Sequence, residues 1–167
     1  MRHSPPWITP GNMPKAAERR RIGVYYAERS DDVPPKALVR NWLLAALRVE
    51  GRRAGAIGVR FVDREEAARL NRDYRGRDYA TNVLSFPYAR KPLVDGDLVL
   101  CPRVVEAEAA EQGKQPLAHY AHLVIHGTLH LLGYDHVGRR REAARMEKRE
   151  RKILARLGFA DPYRSRR

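Results

Sequence analysis

The chain of 167 residues carries 33 Lys and Arg residues against 20 Asp and Glu residues, which gives a formal net charge of +13. Its length fits one domain, and its hydrophobic fraction of 43% excludes a chain that is disordered throughout. A single cysteine, Cys101, excludes an intramolecular disulfide and a cysteine-based zinc cluster. No stretch is apolar enough to span a membrane, and the N-terminus lacks the apolar segment of a signal peptide, so we expect a cytoplasmic protein without a membrane partner.

The excess charge lies at the two ends of the sequence. Residues 1–21 hold five basic residues and one acidic residue, and residues 139–167 hold twelve basic and four acidic residues, whereas 22–138 is nearly neutral. We expect 1–21 to form a flexible basic arm, 22–163 a single folded domain and 164–167 a basic tail. Such a surplus favours a polyanion such as nucleic acid, although a solvated basic surface without any partner explains it equally well.

The predicted elements alternate strands with helices at first, and helices dominate later. In chain order they are a strand at 22–27, a helix after Pro34 and Pro35 that ends at Gly51, a strand at 56–62, a helix from Asp63 to about Asp73, strands near 83–86 and 97–101, and helices at 102–113, 116–132 and 139–157. The pattern predicts an α+β (mixed α/β) domain, with a small, mostly parallel or mixed sheet of about four strands packed against about five helices.

Five of the six histidines fall between positions 119 and 136, in HYAHLVIHGTLHLLGYDH. His126 and His130 are four residues apart on a predicted helix, so both rings project from one face, at the spacing that lets two imidazoles bind one zinc ion. His122 extends the same stripe, but it is eight residues from His130, about 12 Å along the helix axis. One ion therefore cannot bind both of these, and the remaining ligand has to come from outside the helix.

His136 is the candidate for that third ligand. Gly133 allows a sharp turn after the helix, and His136 follows six residues after His130. Three imidazoles leave the fourth tetrahedral position for water, which is typical of a catalytic zinc site. We therefore expect one Zn2+ per chain, at the end of the long histidine-bearing helix. His119 and His122 are interpreted as ordinary core or surface residues.

The spacing equals that of the metzincin proteases, H-E-x-x-H-x-x-G-x-x-H, with one departure. Gly127 stands where these proteases have the glutamate that takes the proton from zinc-bound water. The sequence leaves the base unassigned between zinc hydroxide, a route through the 2′-hydroxyl of an RNA substrate, and a carboxylate brought near by folding.

With that glycine, the run from His126 to His136 closely resembles the signature of the YbeY family of single-zinc endoribonucleases. Residues 74–78 (YRGRD) and 81–87 (TNVLSFP) look like the second signature of that family. Two long motifs in the same order make coincidence improbable, and the resemblance extends from about residue 22 to 163.

The resemblance implies a single-strand-specific endoribonuclease that acts in maturation of the small-subunit ribosomal RNA 3′ end and in ribosome quality control. Its partners would be ribosomal RNA, the small ribosomal subunit and assembly factors of that subunit. It also implies that His126, His130 and His136 hold the zinc ion and that Arg75 is a functional arginine.

Physical arguments give further roles to four polar residues. Arg75 offers a permanently charged fork of donors that suits a phosphate and stabilises charge that develops on its oxygens. Its position alone, in a predicted polar loop, indicates a solvated surface residue, and the family resemblance favours the functional role instead. Asn82 and Ser85 are candidates for hydrogen bonds to substrate, but a turn cap and a strand residue are equally good interpretations. Asp135 either orients a ligand histidine or caps the turn.

Two alternative functions remain open at this point. A metal-dependent peptidase or other hydrolase would need a carboxylate base beside the metal. In a non-catalytic ribosome-assembly factor, the zinc would be structural and the basic surface would bind RNA without cleaving it.

Overall fold

The computed structural model describes residues 22–135 and 139–164, so the predicted arm at 1–21, His136 and most of the predicted tail lie outside the described residues. The elements are β1 Ile22–Tyr26, α1 Lys36–Val49, β2 Ala54–Phe61, α2 Arg64–Arg75, β3 Val83–Ala89, β4 Val94–Leu100, α3 Pro102–Glu111, α4 Pro116–Leu131 and α5 Arg140–Arg156. Within the described residues these make one mixed sheet of four strands and five helices, which confirms the predicted fold class. In that part of the chain, no helix is both long and apolar enough to cross a membrane.

The strand order in the sheet is β1-β2-β4-β3. β1, β2 and β4 run parallel, whereas β3 pairs antiparallel with β4 and forms an edge of the sheet. Parallel neighbours need a crossover, and α1 supplies the one between β1 and β2, while a short turn is enough between β3 and β4. The alternating side chains of Ile57, Val59 and Phe61 point into the core, as the sequence predicts.

The two faces of the sheet carry different helices. One face packs against the main core, which includes residues of α1, α4 and α5, and the other packs against a smaller core with α2. α4 contacts α1, α3, α5 and two strands, and it is buried along nearly its whole length. Its histidines are therefore held by a helix that cannot shift without disturbing the core.

The ends of α2 determine where the second motif lies. The carboxylate of Asp63 accepts a hydrogen bond from the Glu66 amide at 2.8 Å, which begins the helix where the sequence predicts. Gly76 adopts a left-handed conformation with φ of 70° and ends it. The helix is about two residues longer than predicted, so Arg75 is its last residue rather than part of a loop.

Candidate metal centre

The last two turns of α4 bring two imidazole rings together. The Nε2 atoms of His126 and His130 lie 3.1 Å apart, and both rings are partly exposed to solvent. Two nitrogens bound to one tetrahedral zinc ion, each at about 2.0–2.1 Å, would be about 3.3 Å apart. The spacing between the two nitrogens therefore fits a shared metal ion.

The other nitrogen of each ring is already used. His126 Nδ1 lies 2.6 Å from a carboxylate oxygen of Glu150, and His130 Nδ1 lies 2.7 Å from the backbone carbonyl of Tyr134. An ionised carboxylate and a carbonyl can only accept hydrogen bonds, so each Nδ1 must be the protonated nitrogen. The Nε2 atom of each ring faces that of the other, and with the proton on Nδ1 a neutral imidazole offers Nε2 as the lone-pair donor to a metal ion.

Glu150 is a fully buried carboxylate on α5. One oxygen accepts from His126, and the other accepts from the Tyr163 hydroxyl and lies 3.4 Å from His122 Nε2. Burial alone would raise the pKa of Glu150, but the hydrogen bonds from His122 and His126 outweigh it and lower the pKa. Glu150 is therefore ionised at neutral pH and places a negative charge directly behind the ring of His126.

His122, His126 and Glu150 together could also form a metal site, since each offers a donor atom within 4.8 Å of the others. An ion in this group would use Nδ1 of His126, whereas an ion between His126 and His130 would use Nε2. Burial lowers the pKa of His122 more than Glu150 raises it, so His122 is a neutral donor. The structure thus places His122 beside the two metal-site candidates, His126 and Glu150, whereas the sequence alone suggests an ordinary core or surface residue.

A second network fixes the carbonyl that orients His130. The hydroxyl of Tyr134 donates to Glu50 at 2.5 Å, although the two residues are 84 positions apart. Arg149 donates to the other oxygen of Glu50 from Nε at 2.7 Å. Consecutive residues of α5 therefore support the two histidines, since Glu150 contacts His126 directly and Arg149 acts through Glu50 and Tyr134.

The strand β3 lies between α4, which carries the histidines, and α2, which ends at Arg75. Ser85 faces α4 and donates its hydroxyl to the carbonyl of Gly127 at 2.9 Å, next to His126. Phe86 points to the opposite face, where its ring meets that of Tyr74 with centroids 4.4 Å apart. Arg75 follows Tyr74 as the last residue of α2 and is exposed.

The other candidate residues have structural partners or lie at the surface. Asn82 accepts from the Val83 amide at 2.6 Å and donates to Glu108 at 3.2 Å, so its side chain shapes the turn into β3. Asp135 is exposed immediately after Tyr134. His136, the predicted third ligand, is outside the described residues.

The family model for endoribonuclease YbeY matches residues 27–158, which include both described signature segments. The chain belongs to the YbeY family. It is 57% identical over 139 residues to endoribonuclease YbeY of Alkalilimnicola ehrlichii, covering 79% of this chain and 83% of that protein. It is also 51% identical over 160 residues to endoribonuclease YbeY of Xanthomonas campestris, covering 90% and 98% of the two chains.

A solved structure shares the fold of this YbeY family member. The solution structure of TM1509 from Thermotoga maritima has a TM-score of 0.56 and 24% identity, covering 85% of this chain and 98% of the other. The resemblance inferred from the two motifs is therefore confirmed, and family membership identifies the protein as an endoribonuclease.

The glycine that distinguishes the YbeY signature from that of metzincin proteases has a steric reason here. Gly127 is buried where α4 packs on β3 and β4. A Cβ atom at this position would lie 3.0 Å from a methyl of Leu98 and 3.2 Å from the Ser85 hydroxyl. A glutamate at position 127 would meet the sheet rather than the metal centre, so this helix cannot carry the protease base.

Glu150 was missed because it lies in a strongly charged helix. A signal for it was present, since it lies on the same face as Met146, Ile153 and Leu154, which are all buried. A glutamate within an apolar stripe is expected to be paired, because burying an isolated charge is costly.

Proposed function

We propose that this protein is a single-zinc endoribonuclease specific for single-stranded RNA, which matures the 3′ end of small-subunit ribosomal RNA and acts in ribosome quality control. The observation that carries the proposal is the pair of Nε2 atoms of His126 and His130, which lie 3.1 Å apart on rings that are each anchored through Nδ1. The YbeY family membership supports RNA as the substrate.

His126, His130 and His136 hold one Zn2+ per chain in this proposal. Neutral imidazoles are donors that suit zinc, and the anchored rings of His126 and His130 keep their lone pairs aimed at the ion. A bound zinc ion supplies Lewis acidity toward a phosphate oxygen or a water molecule. Glu150 holds the proton of His126 on Nδ1, and Asp135 is proposed to orient the neighbouring His136.

Arg75 is the proposed catalytic cation. Its guanidinium stays charged at neutral pH, and it is exposed, so a phosphate of the RNA can reach it. Negative charge develops on the phosphate oxygens as the phosphodiester bond breaks, and a fixed donor at that point lowers the barrier. Ser85 and Asn82 are proposed to bind the substrate through acceptor positions that their existing hydrogen bonds leave available.

The basic ends are proposed to hold RNA around a catalytic domain of residues 22–163. They would bind phosphates of ribosomal RNA on the small ribosomal subunit. The assembly factors of that subunit are further proposed partners, and the cytoplasm is the proposed location. The segments 1–21 and 139–167 carry the excess positive charge and are proposed to hold the RNA, whereas the three histidines and Arg75 carry the chemistry. The steric setting of Gly127 argues against the peptidase alternative.

The test compares cleavage of one labelled RNA, single-stranded and as a duplex, by matched arginine variants. Arg75→Ala is expected to lower the rate on the single strand by roughly 100-fold or more, the cost of losing one transition-state donor. Arg69→Ala removes an exposed arginine of the same helix, which pairs with Glu66 at 3.8 Å, and should cleave like wild type. Equal rates for wild type and Arg75→Ala would indicate a contaminating ribonuclease, and cleavage of casein instead of RNA would favour the peptidase.

A non-catalytic assembly factor gives a different result in the same experiment. It would bind the single strand with a steep salt dependence and cleave nothing at saturating zinc. That outcome would overturn the proposed activity.

A further inference from the structure

The last turn of α2 and the loop that follows it expose aromatic rings among arginines. Tyr74 is 39% exposed and Tyr79 is 52% exposed, and Arg75 and Arg77 lie between them in the sequence. Large aromatic side chains in contact with water are informative when they cluster with cations, because single-stranded nucleic acids bind to such surfaces.

The loop that carries these rings is held in place from inside. Asn71 is 1% exposed, and its side-chain amide donates to the carbonyl of Tyr79 at 2.8 Å. The amide of Arg77 donates back to the carbonyl of Asn71 at 3.4 Å. With Gly76 providing the turn, the backbone beneath Tyr79 is fixed before any ligand arrives, which lowers the entropy cost of binding.

The rings themselves are also positioned by neighbours. The edge of Tyr74 packs on Phe86, and the guanidinium of Arg77 donates to the Tyr79 hydroxyl at 3.3 Å. Tyr88, on β3, is 39% exposed and donates its hydroxyl to Asp97 at 2.7 Å. The edge of the sheet at β3 is thus lined by partly exposed tyrosines whose orientations are set by the protein.

We propose that Tyr74 and Tyr79 stack against unpaired bases of single-stranded RNA and that Arg77 binds a phosphate beside them. This inference rests on the proposed function and adds to it the place where the bases lie. Every base has an aromatic face, so stacking accepts any sequence but requires a strand whose bases are unpaired. The surface therefore accounts for a preference for single strands without base-specific hydrogen bonds.

The position of Tyr74 and Tyr79 relative to the histidines supports a continuous path for the RNA across the protein surface. Phe86 lies beneath Tyr74, and the preceding residue, Ser85, contacts the carbonyl of Gly127 beside His126. Adjacent strand residues are about 3.3 Å apart along the strand and point to opposite faces. A nucleic acid strand that crosses the edge of β3 would pass from the tyrosines to the histidines.

The test measures the affinity of the zinc-loaded protein for labelled oligouridine by fluorescence anisotropy on ice, with a gel to check that the RNA stays intact. Tyr79→Ala is expected to weaken binding roughly 5- to 150-fold, the value of one base-aromatic stack. Tyr79→Phe keeps the ring and should bind within about twofold of wild type. The matched control is Tyr25→Ala, because Tyr25 is 54% exposed on β1, at the opposite edge of the sheet.

Two further measurements separate stacking from charge. Tyr79→Ala should leave the affinity for a duplex of the same length unchanged, since paired bases offer no free face. Arg77→Gln should reduce the slope of log affinity against log salt by about 0.7, the contribution of one phosphate contact on a single strand, whereas Tyr79→Ala should not change the slope. Arg48→Gln, an exposed site on α1, is the control for a general loss of charge.

Several outcomes would overturn the proposal. They are wild-type affinity in Tyr79→Ala, an equal loss in Tyr25→Ala, and an equal loss on the duplex. Normal RNA binding by Tyr79→Ala with lost association with the small ribosomal subunit would assign the surface to a protein contact instead. If wild type bound no RNA at all, the proposed function would fail together with this inference, whereas wild-type binding that Tyr79→Ala leaves unchanged overturns the inference alone.

Discussion

Nδ1 of His126 lies 2.6 Å from Oε1 of Glu150, a carboxylate that no solvent reaches. This contact fixes the tautomer of the ring, and it makes the opposite nitrogen a better donor to a metal ion because the negative charge raises its basicity. A buried glutamate 24 residues away in the sequence therefore sets the chemistry of the histidine motif.

Glu150→Gln should weaken metal binding while the protein stays folded. Glutamine has nearly the same shape and can still accept from His126, but it removes the charge behind the ring. The expected loss of zinc affinity is roughly 10- to 100-fold, measured by competition with a chromophoric chelator. Glu142→Gln changes a partly exposed glutamate of the same helix that pairs with Arg139, and it should bind zinc like wild type. Equal affinities for the two variants would show that Glu150 does not act on the metal site.

Tyr134→Phe should have a smaller effect on the same measurement. It removes the hydrogen bond to Glu50 and loosens the carbonyl that orients His130. A hydrogen bond of this kind contributes about 0.5–1.5 kcal/mol, so zinc affinity should fall about 2- to 12-fold. Tyr88→Phe removes a similar hydrogen bond, to Asp97, away from the histidines. It should lower the free energy of unfolding and leave zinc affinity unchanged, and a loss of zinc affinity there as well would contradict a specific role for Tyr134.

Gly127→Ala tests the steric reason for the missing protease glutamate. The new methyl group would lie 3.0 Å from a methyl of Leu98 and 3.2 Å from the Ser85 hydroxyl, so these neighbours must move by a few tenths of an ångström. We expect a loss of about 1–3 kcal/mol in the free energy of unfolding, measured by urea denaturation. Gly127→Glu should be less stable still and should not acquire peptidase activity. A stable Gly127→Glu protein that cleaves casein would show that this position does face the metal.

Much of this arrangement is present in the sequence because it is local. The helix of His126 and His130 follows from their spacing, and the start of α2 follows from Asp63 and Glu66. The strand β2 follows from the alternation of Ile57, Val59 and Phe61 with more polar or smaller residues. Each of these depends on neighbours within a few turns or one strand.

The partners of the histidines could not be predicted in this way. Glu150 and Glu50 reach the centre from α5 and from the end of α1, and only the packing of three helices brings them there. The place of Arg75 in the fold, at the end of α2, likewise depends on which face of the sheet that helix covers. Contacts between distant segments are properties of the fold, so a single sequence shows their residue types but not their pairing.

Glu108→Gln should change how stability depends on pH. Burial alone would raise the pKa of Glu108, but the His119 imidazole, 3.8 Å from one carboxylate oxygen, and the hydrogen bond from Asn82 outweigh it and hold the pKa below its ordinary value of 4.5. A carboxyl group whose pKa is lower in the folded than in the unfolded protein stabilises the fold fully at pH values above its unfolded pKa. This stabilisation is lost as the pH falls through the lower pKa of the folded state. Wild type should therefore lose more unfolding free energy between pH 7 and acid pH than Glu108→Gln.

The control for this pH series is Glu111→Gln, an exposed site at the end of the same helix. It should follow the wild-type curve when urea midpoints are measured across the acid range. Parallel curves for wild type and Glu108→Gln would show that the Glu108 carboxylate does not stabilise the fold.

The most direct test of the central claim is a zinc titration of chelator-treated protein, with cleavage of single-stranded RNA followed at each step. We predict that chelation abolishes cleavage and that the rate returns in proportion to added zinc and levels off at one ion per chain. The same titration of His126→Ala should restore no cleavage. Full activity after chelation, or recovery by His126→Ala that equals wild type, would contradict an RNA-cleaving metal centre built on His126 and His130.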